Sequence, residues 1–252
     1  MPYFEYQHQR LFYREQGAGD PLLILHGNTA SSALHQGELD YYQSRYRVIA
    51  LDALGCGQSA RVEQWSDEWW RDYGMQGAAL LGHLDATPTI VMGTSGGAIA
   101  ALWFAALYPA LCYAVIADSL VRHQPPQKFR DLVVNNRAER NAGQVAFWRD
   151  AHGDDWEQVV DADNQIMMAV AERGGDFLQG CPLEDIQCPV LITASRADAL
   201  LTEVGQQTIT LADSIPTSRV YLHHEGDHPL MWSQPRAFRG VVDAFIHSLN
   251  LP

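Results

Sequence analysis

Ile90-Val91-Met92-Gly93-Thr94-Ser95-Gly96-Gly97-Ala98-Ile99-Ala100 is an apolar run that breaks into glycines around one serine and resumes as an alanine-rich segment. The pattern predicts a strand, a sharp turn and a helix. A turn that tight forces the serine into a strained backbone conformation, and the absence of a Cβ at Gly93 and Gly97 lets strand and helix close on each other. The Ser95 hydroxyl is then held out at the edge of a sheet. Free N–H groups of a helix beginning at Gly96 point toward whatever that hydroxyl attacks. The bland alternative is a glycine-rich turn without chemistry. The strand pattern before Ser95 and the helix pattern after it favour a nucleophile elbow.

Working outward, residues 3–7 and 10–16 alternate aromatic and polar side chains, as two antiparallel strands with one solvated face would. Residues 22–25 are a short continuous apolar run, the signature of a strand covered on both faces, 46–52 and 112–118 read as further buried strands, and 189–194 and 219–222 as the last two strands. Helical patterns fall between them: a polar segment to Arg45, residues 67–84 with Trp70, Tyr73, Gly77 and Leu81 on one side, residues 203–213, and an amphipathic tail from 235 to 249. Strands alternating with helices imply a mainly parallel twisted sheet of about eight strands, with its active site at the carboxyl ends of the strands. Residues 122–186 mix Trp, Met, Asp and Arg at helical spacing with no strand-like run. They are expected to form an inserted helical cap on a core made of residues 1–121 and 187–252.

The chain has 252 residues, 47% of them hydrophobic, and a formal net charge of −13. It is large enough for one sizeable core, and its charge would repel a phosphate backbone or an anionic membrane surface. Neither nucleic acid nor membrane is an expected partner. Cys56, Cys112, Cys181 and Cys188 show no paired spacing, which fits reduced thiols better than disulfides or a zinc site. The first eight residues have neither a basic region nor an apolar one, and no later run is long enough to span a bilayer. The expectation is a cytoplasmic monomer or homodimer with no cofactor and no metal.

A serine hydroxyl needs a base, and the base needs a carboxylate to fix its tautomer and stabilise its cation. His228 follows the last predicted strand and Asp198 follows the one before it. Asp118, at the end of the strand after the elbow helix, is an alternative acid. His223 and His224 belong to a strand and point to opposite faces, so with Asp227 and His228 they make a poor metal cluster.

From the His26-Gly27-Asn28 loop, through Asp52-Ala53-Leu54-Gly55-Cys56-Gly57-Gln58-Ser59 and the elbow, to Gly226-Asp227-His228, the chain resembles an α/β-hydrolase over nearly its whole length. The order Ser95, Asp198, His228 is the order that fold uses. The resemblance implies that the N–H groups of Asn28 and Gly96 form the oxyanion hole, that His26 and Gly27 shape their loop, and that residues 52–59 are a structural turn. Asn28 also resembles the halide-binding asparagine of dehalogenases in position, but Ser95 stands where those enzymes carry a carboxylate.

The predicted cap is similar to that of small-capped serine esterases of the valacyclovirase-like and carboxylesterase branch. There an acidic residue can follow the nucleophile; here that place is Gly96. Phe147, Trp148, Trp156 and Met168, with Met167 and Phe177, supply aromatic and thioether surface for an apolar substrate pocket, or simply pack the cap on the core. The expected function is hydrolysis of small carboxylic esters through an acyl-enzyme. Carbon–carbon bond hydrolysis, lactone opening and cofactor-free peroxidation use the same triad, and a ligand sensor with little turnover is the rival from another class.

Overall fold

The computed structural model describes residues 2–249. Its eight strands are β1 (Tyr3–Tyr6), β2 (Gln9–Gln16), β3 (Pro21–Leu25), β4 (Arg47–Leu51), β5 (Thr89–Thr94), β6 (Cys112–Asp118), β7 (Val190–Ser195) and β8 (Ser218–His223). They form one sheet in the order β1-β2-β4-β3-β5-β6-β7-β8. β2 runs antiparallel to β1 and β4, and every pairing from β4 to β8 is parallel. This is an α/β-hydrolase fold. The helices are α1 (Gln36–Tyr42), α2 (Trp69–His83), α3 (Gly96–Leu107), α4 (Pro126–Arg130), α5 (Ala142–His152), α6 (Trp156–Glu172), α7 (Val204–Asp213), α8 (Leu230–Ser233) and α9 (Pro235–His247).

Alternate residues of the central strands point to opposite faces, so continuous apolar runs feed two cores. Leu22, Ile24, Val48, Ala50, Ile90, Met92 and Ile116 pack against α1 and α9 on one face. Leu23, Leu25, Ile49, Leu51, Val91 and Val115 pack against α2 and α3 on the other. That second core continues into Phe129, Val159, Ile166, Met167 and Val170 of the helical excursion between β6 and β7. Within the excursion the one departure from helix and loop is an isolated bridge between His123 and Asp176. No helix among the described residues is long and apolar enough to cross a membrane.

One buried side chain works against the fold. His35 ends the 3₁₀ turn Ser32–His35, is fully buried 5.4 Å from the ring of Trp232, and has no partner for either ring nitrogen among the described residues. Burial, with a smaller contribution from His26, pushes its pKa down to about 3. The unfolded chain therefore binds a proton that the native state refuses, and the associated stability, present above about pH 6.5, is lost as the pH falls toward 3. His35→Leu removes two unsatisfied polar atoms at similar volume. It should raise the thermal midpoint at pH 7 by about 2–4 °C, the equivalent of about 1 kcal/mol, and move acid unfolding to lower pH. A lower midpoint with an unshifted acid limb would show that the imidazole has a favourable partner.

Candidate active site

Ser95 sits between β5 and α3 with φ +54° and ψ −122°. A Cβ on Gly93 would run into the Gly97 carbonyl, and one on Gly97 into the carbonyls of Leu25 and His26. Only glycine permits the strand and the helix to pass this close. Ser95 Oγ lies 2.8 Å from His228 Nε2, and His228 Nδ1 lies 2.7 Å from Asp198 Oδ2. His228 stands on the loop between β8 and α8, and Asp198 on the loop after β7. Asp198 Oδ1 accepts from the amides of Leu200 and Leu201 at 2.9 and 3.2 Å, which aims Oδ2 at the imidazole. A carboxylate only accepts, so the Nδ1 proton belongs to that bond and Nε2 is left to accept from Ser95.

Asp118, the alternative acid, has other partners. It is fully buried and accepts from Thr94 Oγ1 at 2.9 Å, Thr193 Oγ1 at 2.7 Å and the Met231 amide at 3.1 Å. Burial raises its pKa, and those three bonds with the nearby His228 oppose the rise. Its neighbour Ser119 accepts from the Leu230 amide at 2.8 Å. Together the two residues hold the start of α8, and with it the segment that carries His228, against the end of β6.

His26, 0% exposed, shapes the next loop. Nδ1 bonds to the Gly27 carbonyl at 2.8 Å and Nε2 accepts from the Ala53 amide at 3.1 Å, while burial lowers its pKa and keeps it neutral. Asp52 accepts from the Ser32 and Gln58 amides at 2.7 and 2.8 Å, closing the turn that ends in Ser59. Beyond His26 the amides of Asn28 and Gly96 have no hydrogen-bond partner among the described residues. A Cβ on Gly96 would collide with Asn28 Oδ1 and stand 2.8 Å from Trp70 Nε1. No side chain, acidic or otherwise, fits after the serine while Asn28 holds that place.

The Asn28 amide group is itself clamped. Trp70 Nε1 donates to Oδ1 at 3.0 Å, and Nδ2 donates to Asp163 Oδ1 at 2.5 Å. Asp163, on α6, is wholly buried and receives Arg137 Nη1 on its other oxygen at 2.5 Å. His152 makes a second tie: Nδ1 accepts from the Gly57 amide and Nε2 donates to the Thr29 carbonyl, each at 3.0 Å. Burial pushes His152 down to about 3, so it is neutral, as both bonds require. Sequence reasoning alone does not bring Asp163, Arg137, His152 or Trp70 into the site. A signal existed for Asp163, which interrupts the apolar stripe Val159, Ile166, Met167, Val170 on α6.

Above Ser95 lies a cavity of about 680 Å³, floored by Asn28, Gly96 and His228 and roofed by the excursion. Phe147 and Trp148 line it, with Met167 and Phe177. Trp156 and Met168 do not. Trp156 stacks on Trp148 at 5.1 Å in a separate cluster with Val160, and Met168 points about 100° around α6 from Met167. The adjacent residue faces the cavity instead.

Comparison with known proteins matches residues 22–241 to the Alpha/beta hydrolase family. The chain is 21% identical over 94% of both chains to the (E)-2-((N-methylformamido)methylene)succinate hydrolase of Acinetobacter baylyi. It is 26% identical to a protein of Pseudomonas savastanoi pv. phaseolicola named provisionally a carbamate hydrolase, RutD, over 94% of this chain and 97% of that one. Its backbone superposes on the crystal structure of an E-2-(acetamidomethylene)succinate hydrolase with a TM-score of 0.77 and 21% identity, covering 96% of each chain.

The ion pair under the roof has a testable cost. Asp163→Ala leaves the Arg137 guanidinium buried without its counter-charge and should destabilise the protein by about 3–5 kcal/mol. Adding Arg137→Met should return a substantial part of that loss in a double-mutant cycle read by denaturant unfolding. Strict additivity would show that the two charges do not depend on each other.

Proposed function

Since the chain belongs to the alpha/beta hydrolase family, we propose that it hydrolyses carboxylic esters through an acyl-enzyme on Ser95. The observation that carries this reading is the unbroken relay of 2.8 and 2.7 Å from Ser95 Oγ through His228 to Asp198, opening on a cavity lined mostly by apolar side chains. As Oγ attacks the acyl carbon its proton passes to His228 Nε2, and the negative charge of Asp198 stabilises the imidazolium. The Asn28 and Gly96 amides receive the developing oxyanion, where one such donor is worth about 2.7–4 kcal/mol of barrier. Nε2 then returns its proton to the departing alcohol oxygen. Water, deprotonated by the same nitrogen, repeats the attack and frees the acid and Ser95. No group beyond these residues and water enters the balance.

Relatives named for amidomethylene-succinate and carbamate hydrolysis favour a second reading, in which the same relay cleaves an acyl–nitrogen bond. The steps are unchanged except that Nε2 protonates a nitrogen.

The protein should turn over p-nitrophenyl butyrate many times per molecule, whereas a ligand sensor would release about one equivalent of nitrophenol and stop. If the corresponding p-nitroanilide is cleaved faster, the acyl–nitrogen reading replaces the ester one. Ser95→Ala and His228→Ala should each lower kcat by about 10⁴–10⁶ with folding intact. Asp198→Asn should cost about 10⁴ by presenting the wrong tautomer, and far more than Asp118→Asn. The reverse order would move the acid to β6, and a fully active Ser95→Ala enzyme would end the proposal.

A further inference from the structure

Among 17 basic Lys and Arg residues in this chain, Lys128 is the sole lysine. It lies on α4, is exposed and lines the cavity above Ser95, and its ammonium group has no hydrogen bond or ion pair among the described residues. Arg137 lines the same cavity. In an unbroken α-helix nine residues make about two and a half turns and would put these side chains on opposite faces. Here α4 runs into a wider π-helical turn, Asp131–Asn136, and both side chains reach one chamber.

Arg137 is anchored from behind. Nη1 donates to Asp163 Oδ2 at 2.5 Å and to Asn164 Oδ1 at 2.8 Å, and the side chain is 9% exposed. Nε and Nη2 have no partner among the described residues, and neither is sealed away as an unsatisfied buried atom. A guanidinium immobilised on one nitrogen thus presents its other edge, the geometry that grips a carboxylate with two parallel bonds. The one lining carboxylate outside the relay, Asp131, accepts from Gln127 and Asn135 at 2.9 and 3.2 Å and does not pair with Lys128. Two basic side chains and one acidic one outside the relay line the chamber, in a chain where 30 acidic residues outnumber 17 basic ones.

We propose that Lys128 and the Nε–Nη2 edge of Arg137 form an anion subsite, and that the preferred substrates are acyl compounds with a free carboxylate at the far end, such as monoesters of short dicarboxylic acids. This rests on the acyl-hydrolase reading and specifies its substrate class. The apolar lining, Phe129, Leu132, Phe147 and Phe177, suits the methylene chain between the two ends.

The test is the ratio of kcat/KM for mono-p-nitrophenyl glutarate to that for p-nitrophenyl butyrate. Taking a ratio cancels any loss that reaches both esters through Asp163 and Asn28. The ratio should exceed one in the native enzyme, fall with added salt, and drop about tenfold or more in Lys128→Met and Arg137→Gln, while Lys128→Arg retains most of it. Lys128 has no structural partner, so its variants report even if Arg137→Gln fails to fold. A ratio unchanged in Lys128→Met overturns the subsite. If neither ester is hydrolysed, the ester reading has failed and the subsite is decided by glutarate binding to the Ser95→Ala protein in calorimetry. Binding that is lost in Ser95→Ala/Lys128→Met supports it, and no binding overturns it.

Discussion

The site depends on a backbone conformation that Ser95 would not choose for itself. A serine held at φ +54° costs about 1–3 kcal/mol, a cost offset by the packing of β5 and α3 on either side. The strained turn aims Oγ out of the sheet and turns the Gly96 amide toward the same space. Its neighbours must then be nearly featureless. Gly93 and Gly97 let the two elements cross, and Gly96 leaves room for the Asn28 carboxamide, so three separate steric demands explain one short run of glycines. His228 and Asp198 come to this point from the ends of β8 and β7 because parallel strands deliver their carboxyl ends to a common rim.

A second constraint ties the roof of the cavity to its floor. Asn28 is pinned by Trp70 from the core and Asp163 from the helical excursion, and His152 joins the same excursion to Thr29 and Gly57. The two His152 links are buried and the two Asn28 links partly so, where a lost partner costs more than in water. The Asp163–Arg137 pair is therefore better understood as a device for register than as a source of net stability, since apolar side chains of similar volume would fill the space at least as favourably. Moving α6 by one residue would separate Asp163 from Asn28 and Arg137 together. The excursion thus acts on the loop that carries the Asn28 amide as well as covering it.

Most of the fold was legible because it rests on local patterns. Continuous apolar runs marked the central strands, alternation marked the β1–β2 hairpin, and the glycine-serine break marked the elbow. The convergence of Ser95, His228 and Asp198 was legible from their places at strand ends, which a parallel sheet brings together. The inside of the excursion was not. Trp148 and Trp156 look equivalent in sequence, yet stacking turns Trp156 away from the chamber, and Met167 rather than Met168 meets it because a helix turns each side chain about 100° from the last. The phase of a helix against its neighbour is a tertiary fact. His152 gave no sign at all, since a histidine at the end of an amphipathic helix is ordinary until its partners on a distant loop are known.

An acidic chain and an anionic ligand would repel each other if net charge governed the encounter, but distance decides otherwise. At physiological ionic strength charges beyond about 8 Å are largely screened, so a ligand entering the chamber responds to the few groups that line it. Inside, low-dielectric walls of Phe129, Phe147, Trp148 and Phe177 weaken that screening and strengthen the field of Lys128 and Arg137. A carboxylate-bearing molecule that enters the chamber therefore meets two cations above the Ser95 hydroxyl, whatever the sign of the charge on the distant exterior.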